Sequence, residues 1–355
     1  MITTELESFD DISKEAAPDI LVVSLRNKVK ALKAEIKGME HIYGDLKAYF
    51  ADLESAAVDL KIPSLDPLYI APGRRSRKTK CSAVLHWSDW HYGAVQVPDE
   101  IEFMGEFSPG ILEARIQNLH ADYLEWIEVL RNGYALDELV IIDTGDNISG
   151  DIHKELSVTN AFPAPVQSVK VGHFKGQQIC QLAQHFKKVR VEFISADNHG
   201  RLTQKPQAKQ EGMNTYNYVV GFIARLVSVQ QPNVEFNLHP GYTKSIQVQN
   251  RRYLIAHGHA IRGWAGLPWY GIERMVGKEA MARLNEPDYA KFHRAVMGHF
   301  HTPLSHPWYL FGGSASGTDA YDHKAGRKSD PIQCGWFVHP DKGEMDRMDF
   351  ALRND

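Results

Sequence analysis

Five short polar clusters constrain this chain more than any other feature, because each follows directly on an apolar run. Ser88-Asp89-Trp90-His91 follows residues 83–85, Gly145-Asp146-Asn147 follows 139–142, and Asp197-Asn198-His199-Gly200-Arg201 follows 189–194. His257-Gly258-His259 follows 253–256, and Gly298-His299-Phe300-His301 follows 295–297. Short apolar runs of this kind are expected to be buried strands. Loops at the strand ends of an open α/β sheet are where ligands and catalytic groups collect. Side chains two positions apart on a strand share a face. The spacing therefore predicts that Asp89 and His91 reach one ion, with His299 and His301 flanking it from the other side. One Asp-x-His is an ordinary capped turn; an ordered series of such clusters is not.

The intervening segments supply a scaffold. Residues 112–130 are expected to be helical, with Leu112, Ile116, Leu119, Tyr123, Trp126, Ile127 and Leu130 along one face. Helices are also expected over 177–186 and 216–229, and further strands over 234–238, 245–248, 309–311 and 333–338. Strand–helix alternation followed by several strands together predicts an α/β core with a second, mostly antiparallel sheet. Ahead of it, residues 1–19 form an acidic leader. Val22, Leu25, Val29, Leu32, Ile36, Met39, Tyr43, Leu46, Phe50 and Leu53 then recur in steps of three and four, a heptad seam. This is either a coiled-coil arm that pairs two copies of the chain or an amphipathic helix folded back on its own domain. Pro63, Pro67 and Pro72 interrupt helix, and Arg74, Arg75, Arg77, Lys78 and Lys80 form a basic run. That run is either a solvated linker or a contact for a phosphate backbone. The expected organisation is leader and arm over 1–60, linker over 61–81 and one domain over 82–355.

Composition narrows the chemistry. A chain of 355 residues, 43% of them hydrophobic, buries a core without staples. Cys81, Cys180 and Cys334 are far apart and form no CxxC, which argues against a disulfide framework or a thiolate zinc cluster. Histidine is far commoner, with 17 copies, so imidazole and carboxylate are the expected ligands of any metal. No apolar run approaches the ~18–20 residues of a membrane span, and the acidic start lacks a signal-peptide layout. A cytoplasmic location with no membrane partner is expected. A net charge of −4 argues against coating nucleic acid by bulk charge, though not against a local basic groove.

Taken together, Asp89-x-His91, Gly145-Asp146, Asn198-His199, His257-Gly258 and Gly298-His299-x-His301 resemble the calcineurin-like metallophosphoesterase superfamily over roughly residues 82–338. The segment Gly313-Ser314-Ala315-Ser316-Gly317-Thr318-Asp319-Ala320-Tyr321, with Pro331 and Gln333, resembles phage or prophage members related to the repair-nuclease branch. The resemblance implies an α/β fold, a four-layer αββα sandwich of two mixed β-sheets, preceded here by the N-terminal helical arm. It also implies two divalent ions, with manganese expected first and iron, zinc or nickel as alternatives. Carried over by position, Asp89, His91 and His301 would hold one ion, Asn198, His257 and His299 the other, and Asp146 would bridge both. His199 matches the histidine that protonates the leaving oxygen or steadies the transition state. Two ions about 3.5–4 Å apart acidify a shared water, whose hydroxide attacks, and clamp a phosphoryl oxygen. The chain departs from the family pattern in three places. Asp197 stands where the family has glycine, Gly200 where it often has an acid, and no Asp-Arg pair follows Gly145-Asp146.

Around that centre, Asn147, Arg201, Arg262 and His259 are expected to contact substrate, and Arg274 offers a further guanidinium for phosphate oxygens. Trp264, Trp269 and Tyr270 form an aromatic loop that either stacks bases or packs a glycine-rich turn. The expected activity is a phosphodiesterase acting on DNA, with a phosphate-ester substrate as its partner. The alternatives are a phosphomonoesterase on a small molecule or phosphoprotein, and a metal-binding scaffold without activity.

Overall fold

Strict alternation along the strands sorts their side chains into three cores, and those cores define the layers. In the computed structural model, residues 23, 25–38, 40, 78–152, 154–203, 205–262, 267–324, 326 and 328–354 are described. The leader, most of the heptad seam, the linker prolines with Arg74, Arg75 and Arg77, and Trp264 lie outside the described residues. The chain divides into two units, Met1–Ser76 and Arg77–Asp355. In the first, residues 25–38 are helical, with Leu25, Leu32 and Ile36 of the seam exposed.

The second unit holds two sheets. One joins β1 (Thr79–Trp87), β2 (Tyr134–Asp143), β3 (Lys188–Ile194), β4 (Val234–His239), β10 (Ile332–His339) and β11 (Gly343–Ala351) in the order β11-β10-β1-β2-β3-β4. The first four of these run parallel, and β10 pairs antiparallel with both β1 and β11. The other sheet joins β5 (Thr243–Val248), β6 (Arg251–Ala256), β7 (Arg294–Met297), β8 (Leu304–His306) and β9 (Tyr309–Phe311) in the order β5-β6-β7-β9-β8. It is mixed rather than mostly antiparallel: β6–β7 and β7–β9 are parallel, and only β5–β6 and β8–β9 are antiparallel. The cause is a helix that the sequence pattern does not announce. Trp269–Ala282 crosses from β6 to β7, and a crossover of that length returns the chain in the same direction.

On β1, Ala83, Leu85 and Trp87 pack against α1 (Pro109–Arg131), α3 (Ala164–Ala183) and α4 (Tyr216–Ser228), together with Leu139, Ile141, Val189 and Val191. The short α2 (Leu156–Thr159) precedes α3. The alternate residues Val84, Val140, Ile142 and Ile194 face Tyr253, Ile255, Val296 and Leu310 of the other sheet. On that sheet's far side Leu254, Ala256, Ala295 and Met297 meet Ile272 and Val276 of α5 (Trp269–Ala282). The result is helix, sheet, sheet, helix, the four-layer α/β architecture. Among the described residues no helix is long and apolar enough to cross a membrane.

Helix α1 starts at Pro109, whose missing N–H is no loss in the first turn, after Ser108, whose hydroxyl accepts from Ile111 N at 3.3 Å. Helix α3 begins well before the expected 177. Gly172 and Gly176 lie inside it because a Cβ there would sit 2.9 Å from Val220 O and 2.5 Å from Val227 Cβ. They are the points where α4 approaches, not helix breaks. Strand β1 begins at Thr79.

Candidate metal centre

Strands β1, β2 and β3 are adjacent and parallel, as are β6 and β7, so each set delivers its polar clusters to one end of its sheet. The pairing of β1 with β2 continues into the loops: Asp89 N donates to Gly145 O at 3.0 Å and His91 N to Asp146 O at 3.0 Å. The second sheet is tied across by His299 N, which reaches Asp89 Oδ1 at 3.1 Å and Oδ2 at 3.0 Å. Gly298 permits this contact, because a Cβ there would meet Ser88 Oγ at 1.8 Å and Asp89 Oδ2 at 2.4 Å.

These side chains are not aimed by strand alternation. Strand β7 ends at Met297, before either histidine. Instead Asp89, His91, Asp146, His299 and His301 all have left-handed backbone, with φ of 54°, 46°, 48°, 73° and 55°. Such a conformation costs about 1–3 kcal/mol per non-glycine residue and persists where the surroundings over-determine it. Its effect is to separate His299 from His301. They do not flank one ion together: His301 joins Asp89 and His91, while His299 joins Asp146 and His257.

Within each of these triplets one potential ligand atom per residue lies within 4.8 Å of the others, and His91, Asp146 and His199 form a third such set. His91 Nε2 and His301 Nε2 are 3.0 Å apart, and lie 3.9 Å and 3.7 Å from Asp89 Oδ1. His257 Nε2 is 2.9 Å from Asp146 Oδ2 and 2.9 Å from Asn198 Oδ1. Its Nδ1 faces Thr144 O at 2.9 Å, so Nδ1 carries a proton and Nε2 is the atom turned to the centre. Imidazole, amide and carboxylate oxygens converging in this way fit borderline divalent cations. The His/Asp groups are consistent with a site for two ions.

The fields inside the cluster oppose one another. Burial would raise the Asp146 carboxyl, but the charges of His257 and His199 hold it well below the usual carboxylate range. Burial works against charge on His257, yet Asp146, Asp89 and Asp197 carry it up to about 10. Burial likewise opposes His301, which its contact with Asp322 and the charge of Asp89 bring up to about 9. His91 and His299 are held low by burial and by the neighbouring imidazoles.

His199 sits at the rim. Its backbone N–H donates to Asp146 Oδ1 at 3.0 Å and its Nδ1 to Ser149 O at 2.7 Å, with its ring centroid 4.6 Å from that of His91. A backbone carbonyl therefore orients this imidazole, which accounts for Gly200 in place of an acid. Asp197 is structural: Oδ2 accepts from Asp146 N at 3.0 Å and Oδ1 from Gly200 N at 3.1 Å. Burial, with the charge of Asp146, raises its carboxyl well above the usual range.

The four residues expected at a substrate are placed differently from one another. Asn147 is buried, and its amide donates to Asp143 Oδ1 at 2.9 Å and Asn217 Oδ1 at 2.8 Å, so it braces the loop and has no exposed amide to offer. His259 faces Glu211 at 2.7 Å, and Arg201 Nε donates to Thr203 O at 2.9 Å. Arg262 is exposed.

Several supporting residues escape sequence reasoning. Asp143, buried with Lys175 at 2.8 Å, also accepts from Gly145 N, and Lys175 Nζ lies 3.2 Å from the Trp90 ring centroid. Burial brings Lys175 down to about 8 against the pull of Asp143. Gln333 brackets Ser88, accepting from its N at 2.9 Å and donating to its O at 3.0 Å. Asp322, on α6 (Ala320–Lys324), lies 3.5 Å from His301 Nδ1. Only Asp319-x-x-Asp322, two acids one helical turn apart, signals that last arrangement in the sequence.

No protein-family model and no curated protein matches the chain. Among solved structures it is similar to Vacuolar Protein Sorting 29 from Cryptosporidium parvum, at 12% identity and TM-score 0.30, over 77% of this chain and 99% of that one. It is similar to a single-mutant Vps29 from Entamoeba histolytica at 13% identity and TM-score 0.28, over 76% of this chain and 99% of that one. A predicted phosphoesterase from Streptococcus pneumoniae gives 11% identity and TM-score 0.27, over 78% and 99%.

Proposed function

We propose that this chain is a two-metal-dependent phosphoesterase, and more narrowly a phosphodiesterase that cleaves DNA with manganese. The observation that carries the reading is the position of Asp146, which belongs both to the set with His91 and His199 and to the set with His257 and His299. Asp89, His91 and His301 would hold one ion; Asn198, His257 and His299 would hold the other; Asp146 would serve both. Bound there, the ions supply Lewis-acid polarisation of a phosphoryl oxygen and acidify a water.

The protein's own groups account for the rest. The Ser149 carbonyl keeps the His199 proton on Nδ1 and leaves Nε2 to deliver a second proton to the departing oxygen. The Asp146–His199 backbone contact fixes that ring relative to the bridging carboxylate. Arg262, exposed on the loop after His257, offers a guanidinium to a substrate phosphate.

With added Mn²⁺, the purified protein is expected to hydrolyse bis-p-nitrophenyl phosphate faster than p-nitrophenyl phosphate. The reverse ratio would assign a phosphomonoesterase. Metal bound with no turnover of either ester would leave a scaffold and end the enzymatic reading.

A further inference from the structure

A cavity of about 620 Å³ lies between Ala260–Arg262, Leu267 and Pro268 on one side and the first turns of α5 on the other, lined among others by Arg262, Trp269, Tyr270, Arg274, Met275 and Lys278. Trp269 and Tyr270 are 50% and 76% exposed, so each offers ring surface to solvent. No ion pair or hydrogen bond of the Arg262, Arg274 or Lys278 side chains is present among the described residues. The one acid in the lining, Glu279, is neutralised by Arg283. The cavity therefore presents aromatic faces beside three uncompensated cations. Ala260 at its edge is only three residues past His257, so the chain cannot separate them by more than about 11 Å.

We infer that this cavity is a subsite for single-stranded nucleic acid, taking a base against Trp269 and Tyr270 and neighbouring phosphates on Arg262, Arg274 and Lys278, while the strand continues to the metal centre. The inference rests on the phosphoester reading of that centre and adds where its substrate is gripped. Stacking on an aromatic face tolerates any base. Guanidinium and ammonium groups without intramolecular partners are free to meet phosphate oxygens. An acidic peptide would use the cations but not the ring faces.

The test is binding of fluorescein-labelled oligothymidylate, read by anisotropy in EDTA over a range of salt, so that no cleavage intervenes. Trp269→Ala is expected to weaken binding about tenfold and Trp269→Phe by no more than about threefold, since phenylalanine keeps a stacking face. Arg274→Glu with Lys278→Glu is expected to lower the slope of log affinity against log salt by about 1.4, the share of two phosphate contacts on a single strand. All substituted side chains are exposed, and circular dichroism checks that each variant is folded. Wild-type affinity in these variants, or displacement of the oligonucleotide by polyglutamate, overturns the subsite. Turnover of bis-p-nitrophenyl phosphate by the wild-type protein, measured alongside, reports on the metal centre alone. Turnover without oligonucleotide binding sinks the subsite and spares the centre; binding without turnover does the reverse.

Discussion

In the metal centre, Asp89, Asp146 and His257 are buried and each is held by a loop from elsewhere in the chain; in the cavity beside it, Trp269 and Tyr270 stand in solvent and the cations have no partner among the described residues. The centre is over-determined. Its left-handed residues are forced by cross-braces such as Asp197 to Asp146 and Gln333 to Ser88. The cavity carries fewer braces: its aromatic rings are exposed, and Arg262, Arg274 and Lys278 make no ion pair or hydrogen bond among the described residues. A site that must hold charged donors at fixed separations needs bracing, because a small displacement costs most of the chemistry. A surface that must accept any base needs faces and charge but little fixed geometry.

The contrast can be broken most forcefully at the centre. Gly298→Ala would drive a methyl group into Ser88 and Asp89, and turnover is expected to fall by about 10³-fold or more with loss of bound metal. Oligonucleotide binding in EDTA should persist. If both collapse together, the two regions are not independent. His199→Ala is expected to cost about 10²–10⁴-fold in turnover while metal content by mass spectrometry stays the same. Loss of the ions in that variant would move His199 among the ligands. Asp322→Asn removes the carboxylate beside His301 and should weaken metal affinity about 10–100-fold by calorimetry, with Asp322→Glu partly restoring it. An unchanged affinity would show that α6 does not steady the histidine.

The smallest effect concerns the interior beneath the centre. His86 is fully buried between the sheets, its Nε2 2.9 Å from Thr144 Oγ1, and burial with the charge of Arg347 brings it down to about 3. The unfolded chain, with a histidine near 6.5, binds the extra proton first as pH falls. Stability from this group is therefore complete above about 6.5 and declines toward 3. Urea unfolding at pH 7 and pH 4.5 should show His86→Gln losing less stability between the two than the wild type, by a difference of order 2 kcal/mol. Equal losses would place the acid sensitivity elsewhere.

Much of the fold and of the centre is legible in the amino-acid pattern. The polar clusters follow β1, β2, β3, β6 and β7, and helix α1 buries Leu112, Ile116, Leu119, Tyr123 and Ile127 of the expected face. What escapes does so for physical reasons. Helix α5 has only Ile272 and Val276 buried, too thin a stripe for periodicity to register. The first half of α3 is obscured by Gly172 and Gly176, whose role is contact with a helix that follows later in sequence. Strand β11 is an edge strand with exposed charges, Asp346 and Asp349 among its residues, and lacks an apolar run. The division of His299 from His301 depends on backbone handedness, which residue type does not encode for histidine as it does for glycine. Asp322 is separated from His301 by β8 and β9, and only the fold brings the two together.

Two of the triplets draw on both sheets, since His257, His299 and His301 leave the five-stranded one and Asp89, His91 and Asp146 leave the six-stranded one. A cation seated in either would act as a rivet through two plates. Prying the sandwich open would then require expelling it, so resistance to heat should climb with the logarithm of free metal concentration.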